Sequence, residues 1–308
     1  MPSFFKLSLS IFFTLFTTSN LFANVTDAND RPIIPLSEIN RMDNNGIKAD
    51  LCPKNAIEHK YLHRMILIDS TMGLKGKQIS LIKRLLLGED MLRRMVPYDR
   101  LSIVRLNETS PQYNLAAYSM CRPRNGDINS PYKIDKHDWM FETKKELEIQ
   151  FKRFKDGVDD TLNNINSVAL PENDPKASSG SPIMEQIKEI SRLPDFKFDS
   201  FANYQKRELI IISDLQQNTT KIPFYKYCKL GKNQNCPSYE DFKKQKKITR
   251  WLKKALPDFG ENINIKFFYL NTVADPNLDR EVLEFWEGYF NEVGIKDFDY
   301  EIESDSNI

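Results

Sequence analysis

Neither sign of charge is in excess in this chain. Lys and Arg total 44 against 43 Asp and Glu over 308 residues, a net of +1. No global basic bias therefore points to nucleic acid, and a DNA- or RNA-binding role is not expected. Histidine is scarce, with three residues. His59 and His63 stand four apart, which would place both on one face of a helix, but no H-E-x-x-H accompanies them and a surface pair is the simpler reading. His137 has no nucleophile and acid arranged around it. G-x-S-x-G, P-loop and dinucleotide fingerprints are absent, so the usual sequence marks of hydrolases, nucleotidases and dehydrogenases are missing. Cysteine is limited to four, none in a C-x-x-C pair, which excludes a zinc ribbon or thioredoxin-type motif.

Sustained apolar segments outside the expected strands and helices are absent too, apart from one short stretch. Lys6 precedes the apolar stretch Leu7 to Phe16, and Leu21-Phe22-Ala23 resembles a cleavage site. This is the pattern of a secretory signal peptide over residues 1–23, too short for a membrane span; an uncleaved signal-anchor is the alternative. Either way the rest of the chain is expected to be exported, periplasmic or extracellular. No cysteine sits at the cleavage point, which argues against a lipoprotein anchor. In an oxidising compartment, Cys52, Cys121, Cys228 and Cys236 suggest two disulfides. Cys228 and Cys236 bracket a polar loop that a local bridge would rigidify; Cys52 would then pair with Cys121. Asn24, Asn107 and Asn218 each open an N-x-Thr sequon, which matters only in a host that glycosylates exported proteins.

What is present begins after an Asn-, Asp- and Pro-rich leader, residues 24–60. Met65-Ile66-Leu67-Ile68 reads as a parallel strand buried on both faces, and it ends in Asp69-Ser70-Thr71-Met72-Gly73. Helical spacing follows over Lys75 to Met95, a strand over Leu101 to Leu106, and a strand from Tyr113 to Met120 that would pair antiparallel. A long amphipathic helix is expected over Trp139 to Ile165, and another over Pro182 to Leu193 with proline in its first turn. Glu208 to Asp214 is a second apolar strand ending in a carboxylate. A basic helix spans Tyr239 to Ala255, followed by a strand over Ile263 to Leu270 and a helix over Arg280 to Val293. In the final strand Phe298, Tyr300 and Ile302 alternate with Asp299, Glu301 and Glu303. The alternation predicts one α/β domain over 61–303, doubly wound and Rossmann-type, with a mainly parallel sheet, one antiparallel edge strand and an insertion at 222–247; residues 304–308 form a tail.

Ligands in such sheets bind outside the carboxyl ends of the strands. Asp69 to Gly73, Ser178 to Met184 and Asp214 to Asn218 would meet there if the two strands are neighbours. On these residues the chain resembles the von Willebrand factor A-like family. That family carries a metal-ion-dependent adhesion site built from Asp-x-Ser-x-Ser, a Thr before a helix start, and an Asp after a second apolar strand. Asp69 and Thr71 match the opening positions, Gly73 replaces the third, Ser181 stands for the threonine by a hydroxyl swap, and Asp214 matches the final aspartate. The resemblance implies a magnesium ion (or manganese or calcium) held by Asp69, Thr71, Ser181 and Asp214, with a partner protein's carboxylate completing its shell. Such oxygen donors suit a hard cation, and a water would have to replace the hydroxyl lost at Gly73.

The same residues also have an ordinary structural use, since Asp and Ser readily cap helices and turns. The expected function is an exported, non-enzymatic protein-binding module, with an envelope scaffold carrying a degenerate site as the alternative. A haloacid-dehalogenase-type phosphatase would need a second carboxylate two residues after Asp69, where Thr71 stands. The cations of segment 243–254, with Ile248, Trp251 and Leu252 as an apolar stripe, could touch anionic lipid or an acidic partner, or form a solvated face.

Overall fold

A computed structural model of the chain describes residues 51–52, 61–71, 74, 76–87, 92, 95–106, 117–129, 135–137, 139–140, 142–167, 180–192, 204–228, 236–259, 263–271, 276–295 and 298–304. Six strands make the sheet: β1 (Tyr61–Asp69), β2 (Arg100–Leu106), β3 (Tyr118–Cys121), β4 (Tyr204–Ser213), β5 (Ile263–Asn271) and β6 (Phe298–Ser304). Their order across the sheet is β3-β2-β1-β4-β5-β6. All pairs are parallel except β2 with β3. The expected fold class is thus present: a mixed, mostly parallel sheet with an antiparallel edge strand and helices on both faces.

Strand parity explains the two cores. Met65 and Leu67 of β1 point to one face, with Val104, Leu209, Ile211, Ile265 and Phe267. That face is covered by α3 (Ile183–Ser191), α4 (Phe224–Tyr227), α5 (Tyr239–Lys243), α6 (Lys246–Ala255) and α7 (Pro276–Glu292). Ile66 and Ile68 point to the other, with Leu101, Ile103, Ile210 and Ile212, under α1 (Gly76–Leu87) and α2 (Lys144–Ser167). Each fully buried aliphatic side chain contributes about 1.5–3 kcal/mol of transfer free energy, which is why the central strands carry no alternating polar residue.

Several sequence expectations shift. Helix α1 ends at Leu87, and Met95 lies in a bend before β2. β3 starts at Tyr118; residues 113–116 lie outside the described residues. Trp139 and Met140 fall in a turn, and α2 begins only at Lys144, where the Thr143 hydroxyl accepts from Glu146 N at 3.3 Å. Pro182 is the residue before α3 rather than part of its first turn. The single basic helix is two: α5 opens on a capping box between Ser238 and Asp241, and a turn at Lys244 and Gln245 separates it from α6. His63 is not on a helix at all. It lies fully buried in β1 with Nε2 2.9 Å from Ser102 Oγ, while His59 lies outside the described residues.

Both disulfides pair as the spacing implied. Cys52 bonds Cys121, tying the segment before β1 to the end of β3, and Cys228 bonds Cys236 within the insertion. No described helix is long and apolar enough to cross a membrane. Residues 1–50, which hold the apolar N-terminal run, lie outside the described residues, as do Gly73, Ser178, 229–235 and Asn107.

Candidate functional site

β1 and β4 are adjacent and parallel, so their carboxyl ends lie side by side. Asp69 closes β1 and its buried carboxylate gathers the neighbouring loops. Oδ1 accepts from Thr71 N at 3.0 Å and from Thr71 Oγ1 at 2.7 Å, an Asx turn that bends the chain off the strand. Oδ2 accepts from Ser181 Oγ at 2.9 Å and from Ser213 Oγ at 2.8 Å. Three of the four expected metal residues therefore meet at one carboxylate, and Ser213, which sequence reasoning missed, joins them. Its signal was faint: a hydroxyl at the end of an otherwise apolar run, one residue before the carboxylate that drew attention.

Asp214 stands just beyond. Its Oδ1 accepts from Gln216 N at 3.0 Å, and part of its surface remains exposed. Burial against the surrounding protein, and secondarily the negative charge of Asp69, push its carboxyl up to about 7, against the hydrogen bonds from Gln216 and Ser213. Among the described residues no Lys or Arg pairs with either aspartate; Arg105, at this end of β2, donates from Nε to Ser70 Oγ at 2.7 Å instead. An acid raised in this way favours the fold while protonated. Its contribution is whole below the ordinary value of 3.8 and is lost as pH rises through about 7. Asp214→Asn should therefore raise stability by about 1–2 kcal/mol near pH 8 and change it little near pH 4. Thermal melts of both proteins across that range check this; parallel melting curves would remove the buried charge from consideration.

The loop after β4 is held from several sides. Ser181 N donates to Asn218 O at 2.7 Å, and Asn218 N to Ser181 O at 2.9 Å. A Cβ on Gly180 would come within 2.9 Å of that Asn218 oxygen, so only glycine permits this approach. Pro182 offers α3 no side-chain cap, and Gln217, fully buried, supplies one from across the gap. Its Oε1 accepts from Met184 N at 2.8 Å and its Nε2 donates to Glu185 Oε2 at 2.9 Å, while burial raises the Glu185 carboxyl. Leu215 sits at φ 55°, a left-handed conformation that costs a leucine about 1–2 kcal/mol. Its N–H donates to Ser213 Oγ at 2.8 Å, and its carbonyl accepts from Trp286 Nε1 at 2.8 Å. Such local strain, held by surrounding contacts, is common where a loop must present its groups in one geometry.

Chemically the site offers two carboxylates and three hydroxyls, Thr71, Ser181 and Ser213, that spend their protons on Asp69. Each such oxygen keeps lone pairs for another partner. An all-oxygen set whose two acids have no Lys or Arg partner among the described residues fits a hard dication. Among the described residues no cluster of three or more His, Cys, Asp or Glu stands ready to hold a metal, so the hydroxyls would have to share the coordination.

No protein-family model matches the sequence, and no curated protein matches it. Among solved structures the chain is similar to proximal thread matrix protein 1 from the mussel byssus, at 12% identity over 80% of this chain and 42% of that one, with a TM-score of 0.29. The match spans less than half of that protein's length.

Proposed function

We propose that this is an exported protein-binding module of the von Willebrand A-like type, engaging an acidic side chain of a protein partner through a divalent cation held at Asp69, Thr71, Ser181 and Asp214. The observation that carries the reading is the convergence of Thr71, Ser181 and Ser213 on Asp69 beside an Asp214 with no Lys or Arg partner among the described residues. A bound dication would bridge these oxygens to the partner's carboxylate. The two disulfides support a location in an oxidising compartment, periplasmic or extracellular. The insertion borders the same edge, since Phe224 N donates to Gln217 O at 3.1 Å, and it is a natural element for choosing the partner.

Isothermal titration of the protein with Mg²⁺ or Mn²⁺ should give a one-site isotherm. Affinity should rise with pH toward 8, because the cation competes with the proton on Asp214. Asp69→Ala should weaken binding about 10–100-fold or more. Absence of heat with either ion, in wild type and variant alike, would sink the metal-assisted reading.

One observation favours a second reading, an envelope scaffold in which the site is only structural: Asp69 already takes four protein hydrogen bonds. Under that reading chelator would not reduce recovery of a native partner, and Asp69→Asn would affect melting more than binding.

A further inference from the structure

The cations of α6 have no task in the site. The helix is seated by Leu252 and Ala255, which are buried, and by Ile248 and Trp251, which pack partly against the same core. Lys246, Lys247, Arg250, Lys253 and Lys254 are all exposed. None has a carboxylate partner among the described residues, in contrast to Lys243, held by Glu240 and Glu292, and Lys244, held by Asp241. These five occupy positions that recur along one side of the helix, a stripe about 12 Å long at 1.5 Å per residue. Segment 243–254 holds seven basic residues and no acidic one, leaving 37 basic against 43 acidic in the rest of the chain. The electropositive surface is thus local and set in a mildly acidic molecule.

We infer that the solvent face of α6 is a docking surface for an anionic phospholipid bilayer. Four of the five free cations are lysines, compact and strongly hydrated charges that suit a layer of mobile headgroups better than the fixed forked geometry of a carboxylate partner. The apolar side of the helix is already committed to the core, so attachment is electrostatic and superficial rather than insertive. Trp251, half-buried beside the stripe, is the residue type that favours the headgroup zone. Because the rest of the chain is net negative, an anionic membrane would favour the orientation that presents α6. The far end of this segment is fixed by Asp258 N donating to Ser191 Oγ at 3.0 Å, at the end of α3 away from Asp69. The membrane face and the strand-end site can then be occupied together.

The test is vesicle co-sedimentation of the full chain. Phosphatidylcholine vesicles report any insertion of the apolar N-terminal run, and vesicles with about 30% phosphatidylglycerol add the charge. Expected is tighter binding to the anionic vesicles at about 50 mM NaCl, largely abolished at about 300 mM. The variant K246Q/K247Q/K253Q/K254Q should lose that increment about 100-fold or more, at roughly 5-fold per charge, with an unchanged melting temperature because all four side chains are exposed. Asp69→Ala should keep it. Equal binding to neutral and anionic vesicles, or equal binding by wild type and the lysine variant, overturns the proposal. So does a free polyglutamate that binds α6 as tightly as the vesicle, which would reassign the surface to an acidic protein.

Discussion

A Cys52→Ser, Cys121→Ser variant is expected to melt about 10 °C or more below the wild type. The bridge closes a loop of 69 residues in sequence separation, and loop-closure entropy for that length is worth about 4 kcal/mol against the unfolded chain. The native consequences are as pointed. Cys121 is fully buried at the end of an edge strand of only four residues, whose neighbours are Tyr118 packed on Phe154 and the Arg100–Ser119 side-chain contact. The strand is otherwise held by its four-residue pairing with β2, the Ser102–Ser119 hydroxyl contact at 2.8 Å and the Arg122 backbone bonds to Tyr98 and Asp99. By the same relation the Cys228–Cys236 pair, with a separation of 8, is worth about 2.5 kcal/mol. Calorimetry of the two double-serine variants should rank them in that order. The reverse order would mean that the insertion, not the sheet edge, is the weaker part of the fold.

Trp286→Ala is expected to cost about 4 kcal/mol and to damage the candidate site from a distance. The indole is fully buried against Phe267, Phe285, Tyr289 and Phe290, with ring centroids 5.4 to 6.1 Å away. Truncation leaves a cavity that four rigid rings cannot collapse into. Trp286→Phe separates the two roles of the residue. It keeps most of the packing but removes the side-chain donor to Leu215 O, which then retains only the Gln217 N donor at 3.1 Å, at a cost of about 1 kcal/mol. With that tether gone, the hydrogen bonds left on Leu215 among the described residues are those with Ser213 Oγ and Gln217 N, so the affinity for Mg²⁺ expected of the proposed site should fall more than stability does. Denaturant melts and metal titration on both variants would check this; a Phe variant with wild-type affinity would make the Trp286 tether irrelevant to the site.

The parts of this molecule legible in sequence were those dictated by burial. Met65 to Ile68 and Leu209 to Ile212 are apolar without alternation because both faces of their strands are covered, and the carboxylates that end them mark the sheet edge. Asp69, Thr71 and Ser181 could be grouped from their order, their spacing and the family motif they resemble. Ser213 and Gln217 could not, because their roles come from partners 144 and 33 residues away. Leu215 carries no sign of a positive φ, which sequence would assign to glycine or asparagine. The break between α5 and α6 was hidden because the Lys-rich segment contains neither glycine nor proline. Its cause is local and tertiary: Lys243 is drawn to Glu292 on α7, and the Thr249 hydroxyl donates to Lys243 O at 2.7 Å. His63 shows the opposite error, a helical spacing considered for a residue that lies in a strand.

The hydroxyls on Asp69 come from positions 71, 181 and 213, and the latter two contacts bridge 112 and 144 residues. No short, locally ordered segment of the chain can contain this constellation. It closes only once β4 has docked beside β1, which makes it a late event in folding with a high contact order. A ligand of the site therefore cannot act as a nucleus for the fold. It would slow unfolding while leaving the folding rate nearly unchanged, and its binding would serve as a reporter that the whole sheet has assembled.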